Sequence, residues 1–126
     1  MSLGVIHIVE GFTAEQKQEL IKKTKLACME GFDLTEDHSF VYIQETKEEN
    51  ADEQTKTMAC LYVYTTYGKT IYGKDTISAG FDKACKEALG DKIKRTIVIF
   101  KEHTDENAGS NGNLRPLGEN YPKGKK

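Results

Sequence analysis

Arginine is nearly absent from this chain: of its 18 basic residues only Arg95 and Arg115 are arginine, which limits how many bidentate carboxylate or phosphate clamps it can build. Neither sign of charge prevails. Eighteen Lys and Arg face 20 Asp and Glu, a net charge of −2, and no segment collects a basic stripe. A nucleic-acid partner is therefore not expected. Long apolar runs are missing too: no 18-residue apolar span exists, and the start lacks a charged region followed by an apolar one, so neither membrane insertion nor export by that route is expected. Cysteine is scarce and odd in number. Cys28, Cys60 and Cys85 are far apart in apolar stretches, which argues against a disulfide framework and for reduced core thiols in a cytoplasmic protein. No Cys-x-x-Cys or His-x-x-x-His spacing occurs, so neither a metal nor another cofactor is assigned. Both prolines, Pro116 and Pro122, fall in a glycine-rich tail over 103–126 that shows no periodic pattern, and its last three residues are expected to fray.

What is present reads as one domain over 1–126, a length that buries roughly two thirds of the surface its unfolded chain would expose. Val5 to Val9 form a β-branched run suited to a strand covered on both faces. Thr13-Ala14-Glu15-Gln16 is a capping box that starts a helix from residue 14 to about residue 30, with Leu20, Thr24, Ala27, Cys28 and Gly31 as its apolar stripe and Gly31 as its stop. Ser39 to Glu45 is the next strand. An acidic connector over 46–57 follows, with Ala51 as its one apolar residue. The order then repeats. Ala59 to Thr66 is a strand, Asp75 caps a helix carrying Ile77, Phe81, Ala84, Cys85 and Ala88 that ends at Gly90, and Thr96 to Glu102 is the closing strand.

The two halves, about 2–45 and 59–102, match at Gly31…Ser39-Phe40-Val41 and Gly90…Thr96-Ile97-Val98, which points to a duplicated β-α-β unit. The expected fold is α+β: a four-stranded mixed sheet with both helices on one face, a two-layer α/β sandwich. Right-handed crossovers place the helices so, and the apolar strands make the second face one that another subunit covers. A ferredoxin-like β-α-β-β-α-β dimer shares this element order and stands as the alternative.

Ile6-His7-Ile8-Val9-Glu10-Gly11, followed by Thr13 and Glu15-Gln16-Lys17-Gln18-Glu19-Leu20-Ile21, closely resembles the first strand and helix of the 4-oxalocrotonate tautomerases, and the likeness runs on through Phe40 to Glu45. The second half is similar to macrophage migration inhibitory factor and the fused double-unit tautomerases at Thr66-Tyr67-Gly68-Lys69 and at Glu106 to Asn111. The resemblance implies the tautomerase-superfamily fold, a homotrimer with sheets inside and helices outside, and proton transfer on a small 2-keto or enol acid by the amine of an N-terminal proline.

At the position matching that proline stands Ser2, the candidate catalytic residue. Three origins of the departure stand side by side: a different N-terminus, a Met-Ser-Leu segment added ahead of the native start, or loss of the activity. With Met1 removed, Ser2 would present a primary amine, which still accepts a proton near neutral pH. The family's carboxylate-binding arginines match Phe12 and Phe40, and its pocket Tyr and Asn match Ile97 and Ile99. The remaining substrate-binding candidates are Tyr67, Lys69 and Arg115, the last reaching a neighbouring subunit's site. Such a pocket favours a hydrophobic or aromatic acid over a dicarboxylate. His7 is expected to pack in its strand, and His38 and His103 to be solvated at strand edges. Gly68-Lys69-Thr70 looks like the end of a phosphate loop, but Val63 stands where such a loop needs glycine.

Overall fold

Thr13 Oγ1 accepts from the Gln16 amide at 3.1 Å while Gln16 Oε1 accepts from the Thr13 amide at 2.9 Å, so the first helix opens as its capping box predicts. The computed structural model describes residues 1–114, which order as β1 (Ser2–Val9), α1 (Ala14–Phe32), β2 (Ser39–Thr46), β3 (Met58–Thr66), α2 (Ile71–Leu89), β4 (Arg95–His103), β5 (Gly109–Ser110) and β6 (Asn113–Leu114). Arg115 and the end expected to fray lie outside the described residues.

Three local expectations need correction. The cap of α2 is Thr70, not Asp75: Thr70 Oγ1 accepts from the Gly73 amide at 3.0 Å, which starts the helix one turn earlier and makes Asp75 an ordinary exposed helical residue. The stop of α1 is Asp33, in the left-handed region at φ 51° and ψ 51°, and not Gly31. The tail is not pattern-free throughout, because β5 and β6 pair as a small antiparallel hairpin turned at Asn111 and Gly112, both at positive φ.

Strand order across the main sheet is β2-β1-β3-β4, with β1/β2 and β3/β4 parallel and β1/β3 antiparallel. Each β-α-β unit thus keeps its own two strands adjacent, which separates this fold from the split arrangement of ferredoxin-like domains. The connector carries two short 3-10 turns, Glu48–Asn50 and Thr55–Thr57.

Side chains alternate between two faces. Ile6, Ile8, Leu61 and Val63 face the helices and pack with Leu20, Cys28, Ile77, Phe81, Ala84 and Cys85 in a dry core. The helices meet closely because Gly31 and Gly73 lie at their crossing: a Cβ at Gly31 would come within 2.6 Å of the Gly73 carbonyl oxygen. The opposite face carries Leu3, Val5, His7, Phe40, Tyr42, Cys60, Tyr62, Tyr64, Ile97 and Ile99, and no element of the described chain covers it. Phe40, Tyr42 and Ile99 remain 47%, 44% and 41% exposed there. His7 packs edge-on against Tyr62, ring centres 5.1 Å apart.

The cysteines are free and buried, and burial pushes the Cys28 and Cys85 thiols up to about 12. A thiol raised in the folded state contributes stability below its unfolded pKa and loses it as pH climbs toward the folded one. Between pH about 9 and about 12 these two thiols are expected to lower the unfolding free energy progressively as pH rises. Denaturant titrations of the parent and of Cys28→Ala/Cys85→Ala check this: the double variant should show the shallower alkaline decline, and equal slopes would refute the assignment.

Candidate active site

The strand directions bring the starts of β1 and β2 to the same end of the sheet as the ends of β3 and β4, with Ser2 opposite Ser39 and Thr65. At that end lies a cleft of about 320 Å³ lined by Met1, His38, Thr66, His103, the run from Ala108 to Asn111, and Asn113 and Leu114. Met1, His38, Thr66 and His103 continue the alternation of Leu3, Phe40, Tyr64 and Lys101, so the cleft prolongs the open face of the sheet. The β5–β6 hairpin forms its remaining wall. His38 immediately precedes edge strand β2 and His103 ends edge strand β4, three strand spacings or about 14 Å apart across the sheet.

Backbone bonds hold these residues in place. His38 closes a 3-10 turn and donates its amide to the Thr35 carbonyl at 3.1 Å, while His103 accepts the Tyr67 amide at 2.7 Å. His103 Nδ1 lies 3.2 Å from the Thr104 carbonyl oxygen, which accepts from it when that nitrogen carries the proton. Thr65 Oγ1 donates to the Met1 carbonyl at 3.4 Å and so ties the N-terminal residue to β3. Ser2 is 1% exposed, and its Oγ and that of Ser39 lie buried without hydrogen-bond partners. Asn113 Oδ1 is likewise unpartnered on the hairpin side of the cleft.

The residues singled out from the sequence scatter over the molecule. Ser2 sits next to Met1 at the cleft, and Phe40, one residue past Ser39, lies on the open face just inside it. Tyr67 follows the end of β3 and is 74% exposed. Lys69 lies on the helix side of the same end, its Nζ 5.4 Å from the Phe32 ring centre. On that side Lys74 pairs with Glu102 at 2.7 Å, and together with the Gly68 and Lys69 amides it holds the Glu102 carboxyl below the usual range. Phe12 follows the far end of β1, with Lys92 Nζ 4.9 Å from its ring centre. Ile97 pairs with Cys60 towards that far end, and Ile99 pairs with Tyr62 in mid-sheet. Within one chain Ser2 and Phe40 thus share the cleft end, while Phe12 and Ile97 do not.

Sequence reasoning missed His38 and His103 as cleft residues. Each stands at a strand edge, as expected, and the signal was there: one precedes β2 and the other ends β4, two positions that this topology unites. Among the described residues no group of three His, Cys, Asp or Glu is placed to hold a metal ion, and no helix is long and apolar enough to cross a membrane.

No family model matches the sequence. No curated protein matches it either. Solved structures do match in shape. A fused 4-OT described as a symmetric trimer superimposes with a TM-score of 0.78 at 21% identity, over 89% of this chain and 94% of that one. Native fused 4-OT gives 0.82 at 17% identity, over 93% and 99%. FG41 malonate semialdehyde decarboxylase inhibited by 3-bromopropiolate gives 0.75 at 14% identity, over 91% and 94%. The chain therefore has the double β-α-β fold of these fused 4-OT and decarboxylase structures.

Proposed function

We propose that this chain is a keto–enol tautomerase of a small 2-keto or enol acid, acting in the cytoplasm as a homotrimer with the amine of residue 2 as general base. The observation that carries this reading is the position of the Met1–Ser2 junction at the cleft beside His38, His103 and Asn113. Once Met1 is removed, the amine of Ser2 takes a proton from the enol hydroxyl, and the ammonium so formed returns one to the adjacent carbon, yielding the 2-oxo acid. An α-amine has an ordinary pKa of about 7.7 to 8.0, within working range of such a base. The apolar open face supports a trimer, as does its likeness to proteins described as trimers. The buried thiols, free of disulfides, suit the cytoplasm.

A second reading, a catalytically silent member of the fold that binds a small molecule or a protein, is favoured by one observation: among the described residues the cleft lining contains no arginine or lysine. The ultraviolet decay of phenylenolpyruvate separates the two. Protein shown by mass spectrometry to begin at Ser2, and by sedimentation to have three times the 14.1 kDa chain mass, is expected to accelerate the decay, and retention of Met1 to abolish the effect. A Ser2-initiated trimer that leaves the decay unchanged would overturn the enzyme reading, and its binding of phenylpyruvate would then support the second.

A further inference from the structure

The cleft lining has no lysine or arginine among the described residues, yet a 2-keto acid brings a carboxylate. The nearest side-chain ammonium on the open face is that of Lys101. It stands one strand repeat inward from the cleft residue His103 and directly opposite Tyr64, which in turn pairs with Leu3. Two residues along a strand are about 6.7 Å apart, a distance that a lysine side chain spans. Lys101 Nζ rests 5.5 Å from the Tyr62 ring centre and 5.7 Å from that of Tyr64, and no described carboxylate pairs with it. Its neighbours on this face are Tyr62, Tyr64 and Ile99, with Thr66 and His103 on the cleft side. The other described cation of the open face, Arg95, begins β4 at the far end of the sheet. A ring face holds an ammonium only weakly, by about 0.5–1 kcal/mol at an exposed site, so a carboxylate arriving in the cleft competes easily for it.

We propose that Lys101 is the counter-charge for the substrate carboxylate, drawn from the Tyr62 and Tyr64 rings to the floor of the cleft. The assignment rests on the tautomerase reading and adds to it a specificity: one ammonium on an apolar floor takes a monocarboxylate with an aromatic or aliphatic tail, not a dicarboxylate. It also assigns the counter-charge to a residue other than Lys69, which lies on the helix side of the sheet.

The test compares phenylenolpyruvate with its methyl ester in the Ser2-initiated protein and in Lys101→Met and Lys101→Arg, each checked for unchanged mass and melting. Lys101→Met is expected to raise KM for the acid about tenfold to a hundredfold, the range of a hydrogen bond to a charged group, with a smaller change in kcat. The ester should respond little, and Lys101→Arg should restore most of the loss. Equal effects on acid and ester, or none on the acid, would overturn the proposal. Binding is read independently of turnover by following Tyr62 and Tyr64 ring signals by NMR during titration with phenylpyruvate. Saturable shifts in the parent that vanish in Lys101→Met support the assignment even where the protein proves catalytically silent. Unaltered binding in the variant overturns it, whatever the activity.

Discussion

Replacing Ser2 by proline, in protein whose Met1 has been removed, is expected to raise the rate of phenylenolpyruvate decay above that of the Ser2-initiated protein, whose primary amine already serves as a general base. Proline at the chain start is a secondary amine, the base that the resemblance to the tautomerases implies, and the position accommodates it. Ser2 is the first residue of β1, where a proline is compatible with the sheet. Its side chain is wholly buried with an unpartnered hydroxyl, so an apolar ring replaces an orphaned polar atom instead of creating one. The same variant is therefore expected to unfold at a denaturant concentration no lower than the parent. Rates measured on mass-verified protein decide the matter. A folded Ser2→Pro protein as slow as buffer would mean that the cleft does not organise proton transfer, and the binding-module reading would stand.

Gly73→Ala is expected to destabilise the fold by about 3 kcal/mol or more, the upper range of overpacking costs. Glycine to alanine inside a helix ordinarily gains up to about 1 kcal/mol, so the expected sign is the reverse of the local preference. The cause is the helix crossing. A Cβ on Gly73 would overlap the Gly31 carbonyl oxygen and lie 3.3 Å from Phe32 Cδ1, and the backbone cannot rotate aside as a side chain can. Gly80 repeats the constraint two turns on, where a Cβ would stand 2.6 Å from Ala27 Cβ. To relieve the overlap the two helices must separate, which opens the core beneath them around Ile77 and Phe81. Urea unfolding of Gly73→Ala beside the exposed Ser78→Ala provides the check, the latter expected within about 0.5 kcal/mol of the parent. A neutral or stabilising Gly73→Ala would show that the helices do not meet here.

These two positions differ in how legible they were. Ser2 could be singled out in advance because a strand sequence with a recognisable partner family placed it at the chain start. Gly73 could not, since a glycine in the first turn of a helix looks the same whether it faces solvent or another backbone. Gly31 shows the same limit. Read locally it is a helix stop, whereas its place is set by what lies across from it, and Asp33 ends the helix by adopting the left-handed conformation itself. The cap of α2 was misread for a related reason: Thr70 and Asp75 are both competent caps by residue type, and the structure starts the helix at the earlier one, with Gly73 and Ile77 buried on it.

By itself the sequence determined the four main strands and two helices, the capping box of α1, the two-faced strands and the free cysteines, because each rests on residue spacing within one segment, whereas the β5–β6 hairpin did not show in it. Tertiary structure alone decided which strand ends meet. Period-two alternation tells which residues share a face but not which strand lies beside which, nor in which direction. The order β2-β1-β3-β4 is what carries His38 and His103, 65 positions apart in the chain, to one cleft with Met1, and sends Phe12 to the other end. Register then sets Lys101 opposite Tyr64, a pairing made by hydrogen bonds between strands that no spacing along a single strand records.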